Sequence, residues 1–270
     1  MVTPANFTSD QRLIVALDVS SAAAAQKIVT ALGESVHIYK VGMQLYTAEG
    51  PQIVRELVGS GRRVFLDLKY HDIPNTVASA VREAVQLGVS MLTVHASGGS
   101  KMLQAAAEAV KTDKARVGAD VHVRPANAPT TLQILAVTVL TSMDENDLNS
   151  TGVPGRVEDQ VIRLASTALD AGCAGVVSSA REVKALREKL GEDFLIVNPG
   201  VRPAGVDHGD QARVVTPAEA IQAGATHVVV GRPITAAKDP VAAARAINQE
   251  IKTAADELSK NSPVRASSTH

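Results

Sequence analysis

The stretch RVFLDLKYHDIPNTVASAVREAVQLG, residues 63–88, contains one complete strand-and-helix unit. It begins with a nearly continuous apolar run, and such runs are typical of parallel strands that are buried on both faces. Apolar and small side chains then recur at helical spacing from Val77 to Val85, while Pro74 suits the start of a helix and Gly88 its end. The stretch therefore predicts a strand followed directly by an amphipathic helix.

The same unit recurs along the whole chain. Apolar runs rich in β-branched residues and leucine lie at 13–18, 37–42, 63–69, 91–96, 134–140, 174–179, 194–200 and 227–232. Further helical patterns lie at 20–32, 44–60, 98–110, 156–171, 180–190, 216–223 and 240–258. This alternation within 270 residues predicts an α/β protein with a single-domain (β/α)8 barrel, a TIM barrel. The main alternative is an open doubly wound sheet, but its usual GxGxxG marker is replaced here by DVSSAAAA.

The predicted barrel spans residues 12–258. Residues 1–11 are expected to form an N-terminal lead-in, and the polar residues 259–270 a flexible C-terminal tail. Residues 112–131 interrupt the alternation of strand and helix, and we expect them to form a surface excursion before the fifth strand.

Composition excludes several classes of protein. Aromatic residues make up only 2% of the chain and the formal net charge is −1, so neither base stacking nor a basic surface favours nucleic-acid binding. No apolar run is long enough to cross a membrane, and residues 1–12 lack the apolar core of a secretory signal. The single cysteine, Cys173, lies in an apolar run, which predicts a buried, unreactive thiol. We therefore expect a cytoplasmic protein that binds neither nucleic acid nor membrane.

Charged side chains stand where the first three predicted strands end. Asp18 ends the first, Lys40 lies near the end of the second, and Asp67 and Lys69 end the third. Active sites of (β/α)8 barrels lie at these strand ends, and residues two apart in a strand share a face. We therefore expect two ammonium groups interleaved with two carboxylates, with Asp72 just beyond. A structural salt-bridge network is the alternative, but burying so many charges is costly and barrel closure does not require it.

The seventh and eighth predicted strands run into sequences that suit a phosphate group. NPGVRPAG offers backbone N–H groups and Arg202, and GRP offers Gly231 and Arg232. The planar arginine side chain pairs with phosphate oxygens in a bidentate manner, and phosphate sites are frequent at these two strand ends. The histidines show no such convergence, because His71 and His95 lack the spacing of metal ligands. We expect a phosphate site, no metal and no cofactor.

LDLKYHDIPNT, residues 66–76, resembles the DxKxxDIPxT signature of the orotidine 5′-phosphate decarboxylase family. VALDV, YKVGMQLY, AVTVLTSM and NPGVRPAG…GDQARVVTP…VVVGRPI are also similar to that family. The resemblance implies cofactor-free decarboxylation of orotidine 5′-phosphate to UMP and CO2 in pyrimidine biosynthesis, by a homodimer with shared active sites. The chain departs from the family mildly, at Ala204, where glutamine is frequent, and in the length of 112–131.

The resemblance also implies a role for each matching residue. Lys69 would donate the proton to C6 of the pyrimidine, and Asp67 would lie beside the substrate carboxylate together with Asp72 from the partner subunit. Lys40 and Asp18 would complete the charge network and hold the ribose hydroxyls. The other implied contacts are Ile73 and Thr76 from the partner loop, Thr141 at the pyrimidine edge, and Arg202, Gln211, Gly231 and Arg232 at the 5′-phosphate.

This chemistry explains why the implied site is so highly charged. Loss of CO2 from C6 leaves a carbanion in the plane of the ring, and a site without a cofactor must stabilise it by electrostatics. Residues 202–211, polar and glycine-containing, are expected to close over the substrate. Two alternatives stay open: a metal-dependent aldolase or isomerase that acts on a sugar phosphate, and a non-catalytic nucleotide-binding barrel.

Overall fold

The computed structural model describes residues 7–113, 131–203 and 215–261. Eight parallel strands pair in sequence order, and the eighth returns to the first to close a barrel. The strands are β1 (Leu13–Ala16), β2 (Ile38–Gly42), β3 (Arg63–Tyr70), β4 (Met91–His95), β5 (Gln133–Val137), β6 (Gly175–Val177), β7 (Leu195–Asn198) and β8 (His227–Val230). Each overlaps one of the eight predicted runs, so the predicted (β/α)8 barrel is confirmed.

Helices follow the strands and cover the outside of the barrel. They are α1 (Ala22–Leu32), α2 (Met43–Glu49), α3 (Gln52–Gly59), α4 (Pro74–Gln86), α5 (Gly99–Asp113), α6 (Glu145–Ser150), α7 (Val157–Asp170), α8 (Val183–Leu190), α9 (Pro217–Gln222), α10 (Arg232–Thr235) and α11 (Pro240–Asn261). Short 3₁₀ turns lie at Ser9–Gln11, Gly33–Ser35 and Ala96–Gly98. Every predicted helical stretch contains a helix, whereas α6 and α10 were not predicted because they are too short to show a periodic pattern.

The prediction of one continuous helix over residues 44–60 is wrong. The structure divides this stretch into α2 and α3 at Gly50, whose φ is +64°. This left-handed conformation ends α2, and Pro51 follows it with no N–H group to continue the helical ladder. The apolar pattern is unchanged across the break, which explains why periodicity alone did not reveal it.

Two apolar layers hold the barrel together. The inner layer fills the barrel with alternate strand residues: Ile14, Ala16, Ile38, Phe65, Met91, Leu135, Val137, Val177, Leu195, Val197 and Val229. The outer layer lies between the strands and the surrounding helices and is larger. Cys173 belongs to this outer layer, and burial raises the pKa of its thiol to about 12. The predicted burial of this thiol is thus confirmed.

The N-terminal end of the barrel, called the base below, carries a buried polar layer. Arg12 and Arg63 are 5% and 7% exposed, and His227 is fully buried beneath the edge of the Phe7 ring, 4.7 Å between centroids. Arg12 Nη1 donates hydrogen bonds to two backbone carbonyls before β8, at 3.4 and 3.5 Å. Burial, together with the charges of Arg63 and Arg12, lowers the pKa of His227 to about 3. The imidazole is therefore neutral at pH 7.

Parts of the predicted domain organisation fall outside the described residues. These parts are most of the lead-in, most of the 112–131 excursion and most of the C-terminal tail. The last helix reaches Asn261, so helical structure continues beyond residue 259, where the tail was predicted to begin. Within the described ranges, no helix is both long enough and apolar enough to span a membrane.

Candidate active site

A cavity of about 320 Å³ opens at the C-terminal ends of the strands. This end of the barrel is called the mouth. The inner surface of the cavity is apolar and is formed largely by Ala16, Phe65, Val137, Val177 and Val229. Around this floor the structure places eight of the residues singled out from the sequence: Asp18, Lys40, Asp67, Lys69, Thr141, Arg202, Gly231 and Arg232. A cavity of this size with an apolar floor and polar rim suits a small ligand.

Four charged residues at the mouth form a chain of alternating sign. Lys69 Nζ lies 2.9 and 3.0 Å from the two carboxylate oxygens of Asp67. Lys40 Nζ lies 3.8 Å from Asp67 Oδ2 and 2.9 Å from Asp18 Oδ1. Asp67 and Lys40 are 15% and 13% exposed at their side chains, whereas Asp18 is 59% exposed. The carboxylate of Asp67 is thus held between two ammonium groups in a largely desolvated position, where charges interact strongly.

Asp67 and Lys69 do contact each other, but not for the reason given in the sequence analysis. Alternation in a regular strand was expected to place both on one face. The pairing of β3 with β4 instead shifts register between Leu66 and Tyr70, and Lys69 has φ +52°. Among the described residues, Lys69 is the one non-glycine residue with a positive φ. Such a conformation costs roughly 1–3 kcal/mol and persists only when its surroundings hold it.

Thr93 on β4 is a site residue that the sequence analysis missed. It is fully buried, and its Oγ1 accepts a hydrogen bond from the backbone N–H of Lys69 at 2.9 Å. The same hydroxyl donates to Asp67 Oδ1, also at 2.9 Å. The sequence contains one indication of this role, because Thr93 is a polar residue inside the apolar run MLTVH. It lies two positions before His95, and residues two apart share a face of the strand.

Gly42, at the end of β2, provides the space that the Lys40 ammonium occupies. A Cβ atom at this position would lie 2.9 Å from Lys40 Nζ and 3.5 Å from Asp18 Oδ1. A side chain here would displace the ammonium group, so the glycine allows Lys40 Nζ to occupy its position beside Asp18. The spacing Lys40–Val41–Gly42 gave no signal of this in the sequence.

The predicted phosphate end brings together two arginines. Arg202 is 8% exposed, and its Nε has no hydrogen-bond partner among the described residues. Its backbone N–H donates to the carbonyl of Val215 at 3.1 Å. Arg232 and Gly231 line the same part of the cavity, where a Cβ on Gly231 would lie 3.6 Å from Ala16 Cβ, an ordinary contact. Gln211, Ala204 and most of the predicted closing loop lie outside the described residues.

Three of the predicted residues lie away from the cavity of their own chain. Asp72, Ile73 and Thr76 are exposed around the start of α4, and Ile73 is 67% exposed despite being apolar. The Asp72 carboxylate accepts a hydrogen bond from the backbone N–H of Ile73 at 2.7 Å. In the described part of the chain, Asp72 forms no ion pair with Lys69.

Two histidines lie beside the site. The rings of His71 and His95 stack with centroids 5.4 Å apart, and Ser97 Oγ lies 2.7 Å from His95 Nδ1. Burial, the neighbouring His71 and then Lys69 lower the pKa of His95. Across the residues that the structure describes, no group of three or more His, Cys, Asp or Glu side chains is placed to hold a metal ion.

A further polar group, at the ends of β6 and β7, was also not predicted. Ser178 lines the cavity, its backbone carbonyl accepts a hydrogen bond from Asn198 Nδ2 at 2.7 Å, and its hydroxyl lies 3.3 Å from Glu182 Oε2. Burial raises the pKa of Glu182. These contacts support the part of the cavity wall that Ser178 forms.

Comparisons with known proteins agree with the geometry. Residues 11–247 match the model of the family described as "Orotidine 5′-phosphate decarboxylase / HUMPS family". The orotidine 5′-phosphate decarboxylase of Moorella thermoacetica is 54% identical over 242 residues, which cover 89% of this chain and 92% of that protein. That of Halorhodospira halophila is 51% identical over 243 residues, covering 90% and 97%. The crystal structure of the Lactobacillus acidophilus orotidine 5′-phosphate decarboxylase is similar at 39% identity and a TM-score of 0.76, with 89% and 98% covered.

Proposed function

The chain belongs to the orotidine 5′-phosphate decarboxylase / HUMPS family, and we propose how the residues at its mouth carry out the decarboxylation. The protein converts orotidine 5′-phosphate to UMP and CO2 in pyrimidine biosynthesis. The observation that carries the proposed mechanism is the position of Lys69, whose ammonium lies 2.9 and 3.0 Å from both oxygens of Asp67 at an apolar cavity.

The proposed reaction breaks the bond between C6 and the carboxylate carbon. CO2 leaves, the electron pair stays on C6, and the nearby Lys69 ammonium stabilises the negative charge as it develops. Lys69 then donates a proton to C6, and the neutral amine regains its proton from solvent. The Asp67 carboxylate orients the ammonium, and Lys69 acts as the acid.

The aspartates have a second proposed effect, on the bound substrate. Asp67, joined by Asp72, lies close to the substrate carboxylate, and like charges repel each other in the ground state. This repulsion decreases as neutral CO2 forms, so it lowers the barrier to bond breaking. Lys40 lies between Asp18 and Asp67 and limits the repulsion between their carboxylates.

Residues remote from C6 supply binding energy for the substrate. We assign the 5′-phosphate to Arg202, Arg232, Gly231 and Gln211, the ribose hydroxyls to Asp18 and Lys40, and the pyrimidine edge to Thr141. Arg202 supports the phosphate assignment, because it lines the cavity, is nearly buried, and its Nε has no hydrogen-bond partner among the described residues. Binding energy from this end can offset the cost of placing the carboxylate beside Asp67.

A homodimer with shared sites accounts for the residues that lie outside their own cavity. Asp72, Ile73 and Thr76 are all exposed around the start of α4, and Ile73 is 67% exposed, so this segment is accessible to a neighbouring subunit. We propose that Asp72, Ile73 and Thr76 enter the site of the neighbouring subunit. No cofactor is assigned to the reaction, and cytoplasmic pyrimidine synthesis is the proposed setting.

A turnover assay with a chelator tests this function. Purified protein is incubated with orotidine 5′-phosphate and EDTA, and the ultraviolet absorbance change and UMP are measured. We expect chelator-resistant formation of UMP. No UMP would reject the decarboxylase. Turnover of a sugar phosphate that disappears with EDTA would favour a metal-dependent aldolase or isomerase, and nucleotide binding without any turnover would favour a binding protein.

A further inference from the structure

We propose that Thr93 is a positioning residue for the proton donor: it holds the backbone of Lys69 in the left-handed conformation that directs the ammonium group into the site. This inference rests on the proposed function, because it concerns the same lysine. It adds a residue from β4 that has no implied contact with substrate.

The first step of the argument is a closed ring of hydrogen bonds. Lys69 Nζ donates to Asp67 Oδ1, Thr93 Oγ1 donates to the same oxygen, and the backbone N–H of Lys69 donates to Thr93 Oγ1, each at 2.9 Å. The ring begins and ends on Lys69. A threonine hydroxyl has one hydrogen and two lone pairs, so it can fill both roles at once.

The second step concerns the backbone at Lys69. The ladder between β3 and β4 is interrupted between Leu66 and Tyr70, and the threonine side chain satisfies the Lys69 N–H that regular pairing would otherwise use. A residue with φ +52° and a long side chain needs such support, because extended backbone is otherwise favoured. Loss of the bond to Thr93 would free the Lys69 N–H, and a change of φ at Lys69 would change the direction of its side chain and move the ammonium group away from Asp67.

The third step distinguishes a positioning role of Thr93 from a role in packing. Thr93 is fully buried, so valine, which is nearly the same shape, should preserve packing and remove only the two hydrogen bonds. Thr138 provides a matched control. It is 1% exposed, its hydroxyl donates to the carbonyl of Val177 at 3.1 Å, and this bond does not involve Lys69.

The experiment compares Thr93→Val, Thr93→Ser and Thr138→Val with the parent protein in the orotidine 5′-phosphate assay. We expect Thr93→Val to lower kcat by about 100-fold, because a small misplacement of a reacting group has effects of that size. KM should change little, since the phosphate end is intact. Thr93→Ser should recover most of the activity, and Thr138→Val should keep kcat near the parent value.

Two further readouts separate failure of this proposal from failure of the proposed function. If the parent protein makes no UMP, the function is wrong, and the crystal structure of Thr93→Val still tests the geometry through φ of Lys69, which should no longer be positive. If Thr93→Val does not fold, Thr93→Cys replaces it, because a thiol is a weak donor and acceptor, and the same loss of kcat is expected. An active parent with unchanged kcat in the Thr93 variants, or a loss that serine does not rescue, would overturn the proposal.

Discussion

The same eight strands form both ends of the barrel, but the buried charged residues at the two ends have different surroundings. At the mouth, Lys40 and Lys69 flank Asp67 within 3.8 Å, and the group faces a cavity. At the base, burial lowers the pKa of Arg63, which forms no ion pair with a described carboxylate, and His227 stays neutral. Burial of charge therefore does not by itself identify a functional site. Charges of alternating sign around a cavity of ligand size do identify one, because they provide a preorganised electrostatic field at the reacting group.

The largest expected effect on kcat comes from replacing Lys69 at the mouth. Arg63, at the base of the barrel, provides the comparison. Lys69→Ala should lower kcat by at least about 10⁴-fold, because it removes both the proton donor and the charge beside C6. Arg63→Met should leave kcat near the parent value, because it acts at the opposite end of the barrel. Steady-state kinetics with orotidine 5′-phosphate measures both. Similar losses in the two variants would show that the two ends are not functionally distinct.

A smaller but more specific effect is expected from mixing inactive subunits. Lys69→Ala and Asp72→Ala should each be nearly inactive alone, whereas a mixed dimer keeps one site with both residues intact. Random exchange in a twofold dimer should restore about a quarter of parent activity, since half of the dimers are mixed and each has one intact site. Activity is measured in the exchanged mixture and in the mixed dimer isolated by two different affinity tags, which should have about half of the parent activity because one of its two sites is intact. An isolated mixed dimer without activity would show that Asp72 acts in its own subunit.

The smallest effect concerns stability at the base. His227 has a folded pKa of about 3 against 6.5 for an ordinary histidine, so the unfolded chain binds more protons between these values. Its contribution to the free energy of unfolding is complete above pH 6.5 and decreases as the pH falls toward 3, by up to about 1.4 kcal/mol per unit. Urea unfolding from pH 7.5 to 4.5 should therefore show a steeper loss for the parent than for His227→Asn. Equal slopes would indicate that the imidazole is not buried as a neutral group.

Most of the fold could be predicted because it depends on local patterns. Continuous apolar runs alternating with helical periodicity determine a closed parallel barrel, and both signals are present in every unit. The break between α2 and α3 could not be read from periodicity, because Gly50 changes the backbone direction without changing which side chains are apolar. The short helices α6 and α10 contain too few residues for a helical pattern to stand out.

The candidate site was predictable where its residues lie at strand ends, and less so where it depends on contacts between strands. Asp18, Lys40, Asp67 and Lys69 follow from position alone. Thr93 acts through hydrogen bonds to another strand, which its own neighbours in sequence do not indicate. The positive φ of Lys69 likewise arises from the register shift against β4, a property of two strands together.

The crystal structure of the complex with UMP is the most direct test of the central claim, that the Lys69 ammonium, paired with the Asp67 carboxylate, acts on C6. We expect C6 of the pyrimidine within about 3.5 Å of Lys69 Nζ, the distance of a productive reacting pair. The phosphate should lie between Arg202 and Arg232. A pyrimidine ring bound at the mouth with C6 directed away from Lys69, and with another proton donor beside it, would contradict the account.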